Sequence, residues 1–589
     1  MAGKPTPLFY LIVVLVVFGL LGFAIYRGAD LLFPKGGGQA QGGGGGGAAV
    51  VDANQLGFSD GAEQDDSAGI TTVQEYEFQP SQRLPPVTGA SAYRPMEDRT
   101  VRFAINVWAG WAPIVYANDG FQAGKLWQGP DGKTFKVELV LIDDPVQMRD
   151  AYVSGSIHIG WCTLDMLPLF VDGFVDAQGN PKDSRIMPRV YQQVDWSNGG
   201  DGIIARSNIR TIADLRGKKV VLAENSPSQY FGLNMLVAGG VQPSEVNFVY
   251  TADAFQAAAA FNSQRDIAAA VTWAPDIYNL EKVQGNRLLV TTATANKLIA
   301  DVWFARADFA SEHPDIIEGL VRGIFDAMVE LKSDDAQHRV ADWMATGYSI
   351  PATEAMSMLA DAHSTNWAEN FQFFMNKNNP TNFERVWNQA YYLYRRIGKI
   401  TNRQVPFDQV MDFSVIEKLG REEKYRNQVD EYTVQYVPRT TSEIRGAEEI
   451  LTNTVTIHFY PNSFDLYKRV TVRDGNKDIE KLYDPNVDFV LEEVAKLAGQ
   501  FGMARIIIEG HTDSSKQGLR EVREEDVREL SSRRAAAVKE ALVNKFQLDP
   551  NQFSAEGMGW DRPADPNDPR NHAKNRRVEV KIYPLESDD

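Results

Sequence analysis

The chain has 589 residues, a formal net charge of -18 and a single cysteine, Cys162. That length predicts two or three domains. The acidic balance argues against nucleic acid as a partner, since a phosphate backbone would be repelled, and one cysteine excludes an internal disulfide or a thiolate metal cluster.

After a short segment, 1–7, expected on the cytoplasmic side, Leu8 to Tyr26 forms nineteen residues without a charge, relieved by Gly19 and Gly22. At 1.5 Å per residue this covers about 30 Å, the thickness of a bilayer core, and predicts one transmembrane helix over 8–27. Lys4 precedes it and Arg27 and Lys35 follow, so flanking charge does not set the orientation. A cleaved signal peptide is the competing reading, with Gly22-Phe-Ala24 as a poor cleavage site.

Residues 28–95 read as a disordered linker. The run from Gly36 to Gly47 is almost entirely glycine, and acidic sequence follows (Asp52, Asp60, Glu63, Asp65, Asp66), then Pro80, Pro85 and Pro86. Such a tether has a typical end-to-end distance of about 45 Å.

From Thr100 short apolar strands alternate with helices. Strands are predicted at 101–107, 137–142, 157–159, 219–222 and 267–272, with helices over 114–124 and near 150–153. This alternation means an α/β fold with mostly parallel sheets, in which ligands collect at strand ends. Further helices are expected over 316–331, 339–344 and 387–397.

Five pieces carry a family resemblance in order: Trp108-Ala-Gly-Trp111-Ala-Pro113, Ala151 to Gly160, Gly199-Gly-Asp-Gly-Ile-Ile204, Ile212 to Val220, and Ala269-Ala-Val-Thr-Trp273-Ala-Pro275. Residues 96–435 resemble a periplasmic solute-binding protein of the nitrate, sulfonate and thiamine-precursor class. The resemblance implies a type II-like domain of two lobes, with lobe II over about 200–297.

The candidate ligand residues lie in strand-end loops: Trp108, Trp111, Trp161, Cys162, Thr163, Trp196, Asp201, Ser226, Ser228, Gln229, Trp273 and Asp276. Trp rings offer flat apolar walls whose π faces attract cations, and Ser226 and Ser228 open a predicted helix whose free N–H groups suit an anion or a polar oxygen. The sole Arg near these loops, Arg206, is placed beyond the pocket. That weighs against a doubly charged anion and favours a neutral, aromatic or cationic ligand.

No catalytic apparatus is expected, and no cofactor or metal. Neither GxxxxGK[ST] nor HExxH occurs, and the seven histidines do not pair at metal spacing. Asp176-Ala-Gln-Gly-Asn180 reads as a turn rather than a calcium loop.

The last quarter holds four motifs in order: Ile506-Ile-Ile-Glu-Gly-His-Thr-Asp513, Leu530-Ser-Ser-Arg-Arg534 running on to Val538, Gly557-Met-Gly559, and Asn575-Arg-Arg-Val-Glu579. A β-branched run ending in a polar cluster reads as a strand, and Leu530, Arg534, Val538 and Leu542 repeat at helical spacing with a start near Ser531. Residues 450–583 resemble the OmpA-like α+β domain, joined through a connector, 436–449, and followed by an acidic tail, 584–589. The resemblance implies that Asp513 and Arg534 grip the ammonium and carboxylate of diaminopimelate in the peptidoglycan stem peptide, with Thr512, Asn575 and Arg577 beside them. A carboxylate and a guanidinium held apart on rigid elements suit a zwitterion.

Together these readings predict a non-enzymatic solute-binding protein anchored in the inner membrane and attached to peptidoglycan, with its bulk in the periplasm. It would capture a small-molecule ligand for an ABC-type permease or for sensing. The alternative is a ligand-responsive component of a MotB/ExbD-like channel or stator complex with a MotA/ExbB-like membrane partner. Such stators rely on an acidic residue within the helix, and none lies between Leu8 and Tyr26.

Overall fold

A computed structural model describes Glu63 and residues 76–585, apart from 456, 475 and 476. The apolar segment from Leu8 to Tyr26, the glycine-rich run and the C-terminal tail beyond 585 lie outside the described residues. Among the described residues no helix is long and apolar enough to cross a membrane.

The chain builds one sheet, crosses into a second and returns. It enters through β1 (Thr100–Ile105), β2 (Trp127–Gln128), β3 (Thr134–Leu141), β4 (Ile159–Thr163) and β5 (Pro188–Ser197). It then forms β6 (Asp201–Arg206), β7 (Lys219–Ala223), β8 (Asn247–Thr251), β9 (Ile267–Trp273) and β10 (Asn286–Thr291) before returning as β11 (Ala300–Arg306) and β12 (Ala362–Ser364). The sheets run in the orders β12-β5-β11-β4-β1-β3-β2 and β10-β6-β9-β7-β8. Two lobes are thus joined at 198–200 and 292–299, as the resemblance implied.

The sheets are mixed rather than mostly parallel. β1 pairs parallel with β3 and β4, and β7 with β8 and β9. The strands that enter and leave each lobe run antiparallel: β5 to β11, and β6 to β9 and β10. A chain that crosses a hinge and comes back must reverse direction there. β4 is buried along its whole length, as expected of a strand covered on both faces. It begins at Ile159, later than the expected 157, because Ser156 and Ile157 complete the turn after the helix Pro145–Val153. The helix expected over 114–124 stops at Ala117, where Asn118 turns the chain and binds the carbonyls of Gly120, Gln122 and Val137.

The linker reading is too long at its C-terminal end. From Tyr76 to Met96 the chain has no regular structure, yet it is strapped to the lobes. Lys399 donates to the Gln82 carbonyl, Arg149 to that of Pro85 and Arg306 to that of Ser91. Proline-rich chain cannot pair as a central strand, so buried cations satisfy its carbonyls instead.

The C-terminal domain has a four-stranded sheet in the order β13-β18-β16-β17, built from β13 (Leu451–Val455), β16 (Ala504–Gly510), β17 (Phe553–Gly557) and β18 (Val578–Pro584), with a separate hairpin of β14 (Arg469–Asp474) and β15 (Lys477–Leu482). Helices Val487–Gln500 and Glu524–Phe546 complete it. The second helix begins seven residues before the expected Ser531; Glu524, Glu525 and Asp526 favour that earlier start against the helix dipole. Arg385 bonds Glu492 at 3.2 Å and Lys496 bonds Gln389 at 2.8 Å, so this domain packs on the two-lobed one.

Candidate functional site

Two sites emerge, one between the lobes and one in the C-terminal domain. The interlobe cavity encloses about 650 Å³ of atom-free space, part of it open to solvent. Lobe I lines it with residues such as Trp108, Asp143, Trp161, Thr163 and Asp301, and lobe II with Asp201, Ser226, Asp253, Phe255 and Trp273.

Strand register brings the polar groups together. Asp301 on β11 lies opposite Thr163 on β4 and Asp195 on β5, and Asp201 on β6 lies opposite Trp273 on β9. The Trp108 indole donates to Asp195 Oδ2 at 2.8 Å. Gly110 and Gly200 make room for this pair: a Cβ on Gly110 would sit 2.2 Å from Asp195 Oδ2, and one on Gly200 would sit 2.3 Å from the Trp108 ring. Asp201 Oδ2 accepts from Ser197 Oγ at 2.7 Å, while its Oδ1, although buried, has no partner.

The electrostatics of the hinge are those of crowded carboxyls. Burial pushes Asp165 and Asp201 up to about 7, and neighbouring carboxylates add to the rise at Asp201. Asp195 and Asp301 face each other, and burial also raises both; the Asp195 charge drives Asp301 further up. Such a pair resists ionising together.

Of the expected ligand residues, Trp108, Trp161, Thr163, Asp201, Ser226 and Trp273 line the cavity. Others are elsewhere. Trp111 is fully buried, packed on Phe103, with its indole donating to Asn106. Trp196 packs edge-on against Phe373 on the far side of β5. Cys162 points into the core, since alternate residues of a strand face opposite ways and Trp161 and Thr163 face the cleft. Ser228 and Gln229 are buried within the helix Pro227–Ala238, and Asp276 starts the helix Asp276–Glu281, away from the cavity lining. Arg206 is also outside, its guanidinium bonded to Asn286 and to the carbonyls of Phe261 and Ile267. Asp143, Asp253 and Asp301 were missed by sequence reading. Asp143 and Asp253 follow β3 and β8 closely, and that strand-end position was a usable signal.

In the C-terminal domain, glycines let the helix Glu524–Phe546 approach the strand ends. A Cβ on Gly510 would lie 2.0 Å from the Ser531 carbonyl, and one on Gly557 2.3 Å from that of Arg528. The Arg534 side chain is fully buried, with Nε donating to the Ser463 carbonyl at 3.0 Å and its face over Phe459. Its two terminal nitrogens bind both oxygens of Glu63, at 2.6 and 2.7 Å. Asn462 holds the same residue: its N–H donates to Glu63 Oε2, and its side chain bonds the Glu63 N–H and carbonyl.

Asp513 lies beyond β16, fully buried, with Oδ2 bonded to Arg576 at 2.8 Å and Oδ1 accepting the Ser515 N–H. Burial raises its carboxyl, and Glu63 adds to the rise. Arg576, rather than Arg577, is the arginine at Asp513. Arg577 turns the other way to Glu579. Asn575 braces its own loop, accepting from Ala564 N–H and donating to the Pro569 carbonyl, and Thr512 is buried beside Asp513 with its hydroxyl unpartnered.

Glu509, His511 and Glu579 bring ligand-type atoms within 4.8 Å of one another. Arg445 and Arg577 already neutralise the two carboxylates, and Arg562 and Lys581 flank them, so the cluster balances its charge from the chain itself. Asp176 caps a tight turn by accepting from Gln178 and Asn180.

Residues 476–577 match the OmpA family, and residues 189–334 match the family described as NMT1/THI5 like. The outer membrane protein Omp38 of Acinetobacter baumannii is 36% identical over 113 residues, which is 18% of this chain and 30% of that protein. The taurine-binding periplasmic protein of Escherichia coli K12 is 25% identical over 227 residues, 38% of this chain and 66% of that protein. The chain thus spans less than two thirds of either relative. Among solved structures, the periplasmic aliphatic sulphonate binding protein SsuA from Escherichia coli aligns with a TM-score of 0.40 at 20% identity, covering 53% of this chain and 99% of that one. The chain therefore carries an NMT1/THI5-like segment within its two-lobed α/β domain and an OmpA-family segment at its C-terminal end.

Proposed function

We propose that this protein is a non-enzymatic solute-binding protein of the cell envelope, of the ABC-type class that includes sulfonate-, taurine- and nitrate-binding proteins, fixed to peptidoglycan by its C-terminal domain. The observation that carries the reading is the cavity lined by both lobes at the hinge, because a ligand there bridges the lobes and favours their closed arrangement. In this reading the captured solute passes to an ABC-type permease or signals its presence, and residues 8–27 anchor the chain in the inner membrane.

The wall-binding half assigns diaminopimelate to the pocket between Arg534 and Asp513. Support comes from the depth of both side chains and from the two-pronged donation of Arg534 to a carboxylate. Carboxylate recognition by a buried guanidinium fork is strong and geometrically selective. Pull-down of the full chain by purified sacculi tests this half. Arg534→Lys and Asp513→Asn should each reduce retention at least about tenfold while the variants remain folded by circular dichroism. Undiminished retention of both would sink the assignment.

A further inference from the structure

We propose that the interlobe cleft takes an organic cation bearing N–H donors, a protonated amine or a guanidinium compound. This rests on the reading of the cleft as the solute site and names the ligand class.

The first observation is that the titratable groups on the walls are all carboxyls. Asp143, Asp201, Asp253 and Asp301 line the cavity, and among the described residues no Lys, Arg or His does. The second is an unmet acceptor. Asp201 is 4% exposed, lines the cavity, and its Oδ1 has no hydrogen-bond partner among the described residues. Behind it Asp165 Oδ1 is also buried without a partner among the described residues. Among the described residues no Lys or Arg forms a salt bridge with Asp165, Asp195, Asp201 or Asp301. Buried carboxyls without counter-charge are costly when ionised, and an incoming cation supplies what the chain leaves out.

The third observation is that several of the donors an anion would use are spent, although the Thr163 hydroxyl has no partner among the described residues. The Trp161 indole donates to the Ile142 carbonyl and that of Trp108 to Asp195, leaving ring faces rather than N–H groups to a ligand. Ser226 Oγ donates to the Ala223 carbonyl, and the Val107 N–H goes to Asp143. The helix beyond Ser226 starts on Pro227, which has no N–H. Indole faces beside carboxylates attract cations. Amine and guanidinium N–H groups, unlike a quaternary ammonium, also meet the free oxygen of Asp201.

Thermal-shift measurements on the full chain with putrescine, agmatine and tyramine, set against taurine, ethanesulfonate and nitrate, test this. At least one amine should raise the melting temperature by several degrees while the anions leave it unchanged. Asp201→Asn should weaken that amine at least about tenfold. Asp253→Asn, on a more exposed part of the wall, should weaken it about threefold and covers the case in which the first variant fails to fold. Stabilisation by taurine, ethanesulfonate or nitrate alone overturns the cation assignment and leaves the receptor reading standing. No shift with any of the six overturns both.

A separate observation carries a second inference, which rests on the assignment of Arg534 to the wall. We infer that Glu63 is a built-in competitor for that pocket. Its carboxylate fills the guanidinium fork, its backbone is held through Asn462, and it is completely buried. A free stem-peptide carboxylate has the same shape and charge, so the two exclude each other. Binding the wall then requires Glu63 to leave. Because Glu63 competes from the same chain, its effective concentration is high, and removing it should strengthen retention by sacculi about tenfold. Glu63→Gln and Glu63→Ala in the full chain read this out, with melting curves to show that both remain folded. Retention equal to or below that of the unmodified chain overturns the competitor role and makes Glu63 a structural partner. Absence of retention in all three proteins overturns the wall assignment itself.

Discussion

Glu63 and Arg534, 471 positions apart in the chain, meet in a two-pronged ion pair with neither side chain exposed. Burial works against the Glu63 charge, but the Arg534 guanidinium outweighs it, so the carboxyl is held below its ordinary 4.5. A group whose pKa is lower in the folded state adds stability above its unfolded value and loses it as pH falls through the folded value. The pair is therefore at full strength at neutral pH and fades only below about 4.5. The difference in melting temperature between the unmodified chain and Glu63→Gln should stay constant from about pH 7.5 to 5.5 and close under stronger acid. A difference that widens on acidification would contradict this account.

His511 gives an acid-labile contribution of opposite origin. Burial first, and then the nearby Arg577 charge, lower its pKa from 6.5 to about 3, and among the described residues neither ring nitrogen has a hydrogen-bond partner. The unfolded chain takes a proton near 6.5 and the folded chain refuses it until about 3. Stability should thus be unaffected by this group above 6.5 and decline steadily as pH drops through that interval. Urea titrations of the full chain at stepped pH should show the decline, and His511→Gln should flatten it.

Trp111 should behave as a core residue. It is fully buried, with its indole bonded to Asn106 at 2.7 Å. Trp111→Ala should cost about 3–5 kcal/mol in urea unfolding. Trp111→Phe should cost less, and the folded fraction of that variant should keep its ligand preference. A loss of ligand binding at undiminished stability would return this residue to the cleft.

Cys162 is buried, and its thiol is pushed well above its usual range by burial and by Asp165 and Asp301. The thiolate is the reactive form. Native protein should leave a disulfide reagent such as dithionitrobenzoate unreacted over hours, and one thiol per chain should react on unfolding. Rapid native labelling would place the sulfur at an accessible surface.

Much of the architecture was legible because local periodicity carries it. The β-branched runs at Val101, Val137, Lys219 and Ile506 lie in strands, and the apolar spacing of Leu530, Val538 and Leu542 lies in a helix. Cleft residues were harder to read. Strand alternation sends Trp161 and Thr163 toward the cavity and Cys162 away from it, but a run buried on both faces has no polar side to reveal which is which. The choice between Arg576 and Arg577 is of the same kind: adjacent residues entering β18 point to opposite sides, and their spacing alone cannot rank them.

The sequence by itself determined the α/β alternation and the strand-end positions of Trp108, Trp161 and Trp273, which follow from local periodicity, and its C-terminal motifs carried the resemblance that implied the α+β domain. The tertiary structure decided what stands opposite each charged group. Asp195, Asp201 and Asp301 gather without a salt-bridging Lys or Arg among the described residues because three strands of two lobes converge at one hinge, and Glu63 reaches Arg534 because chain folding brings distant segments together. Charge pairing depends on distance in space, and no local pattern encodes it.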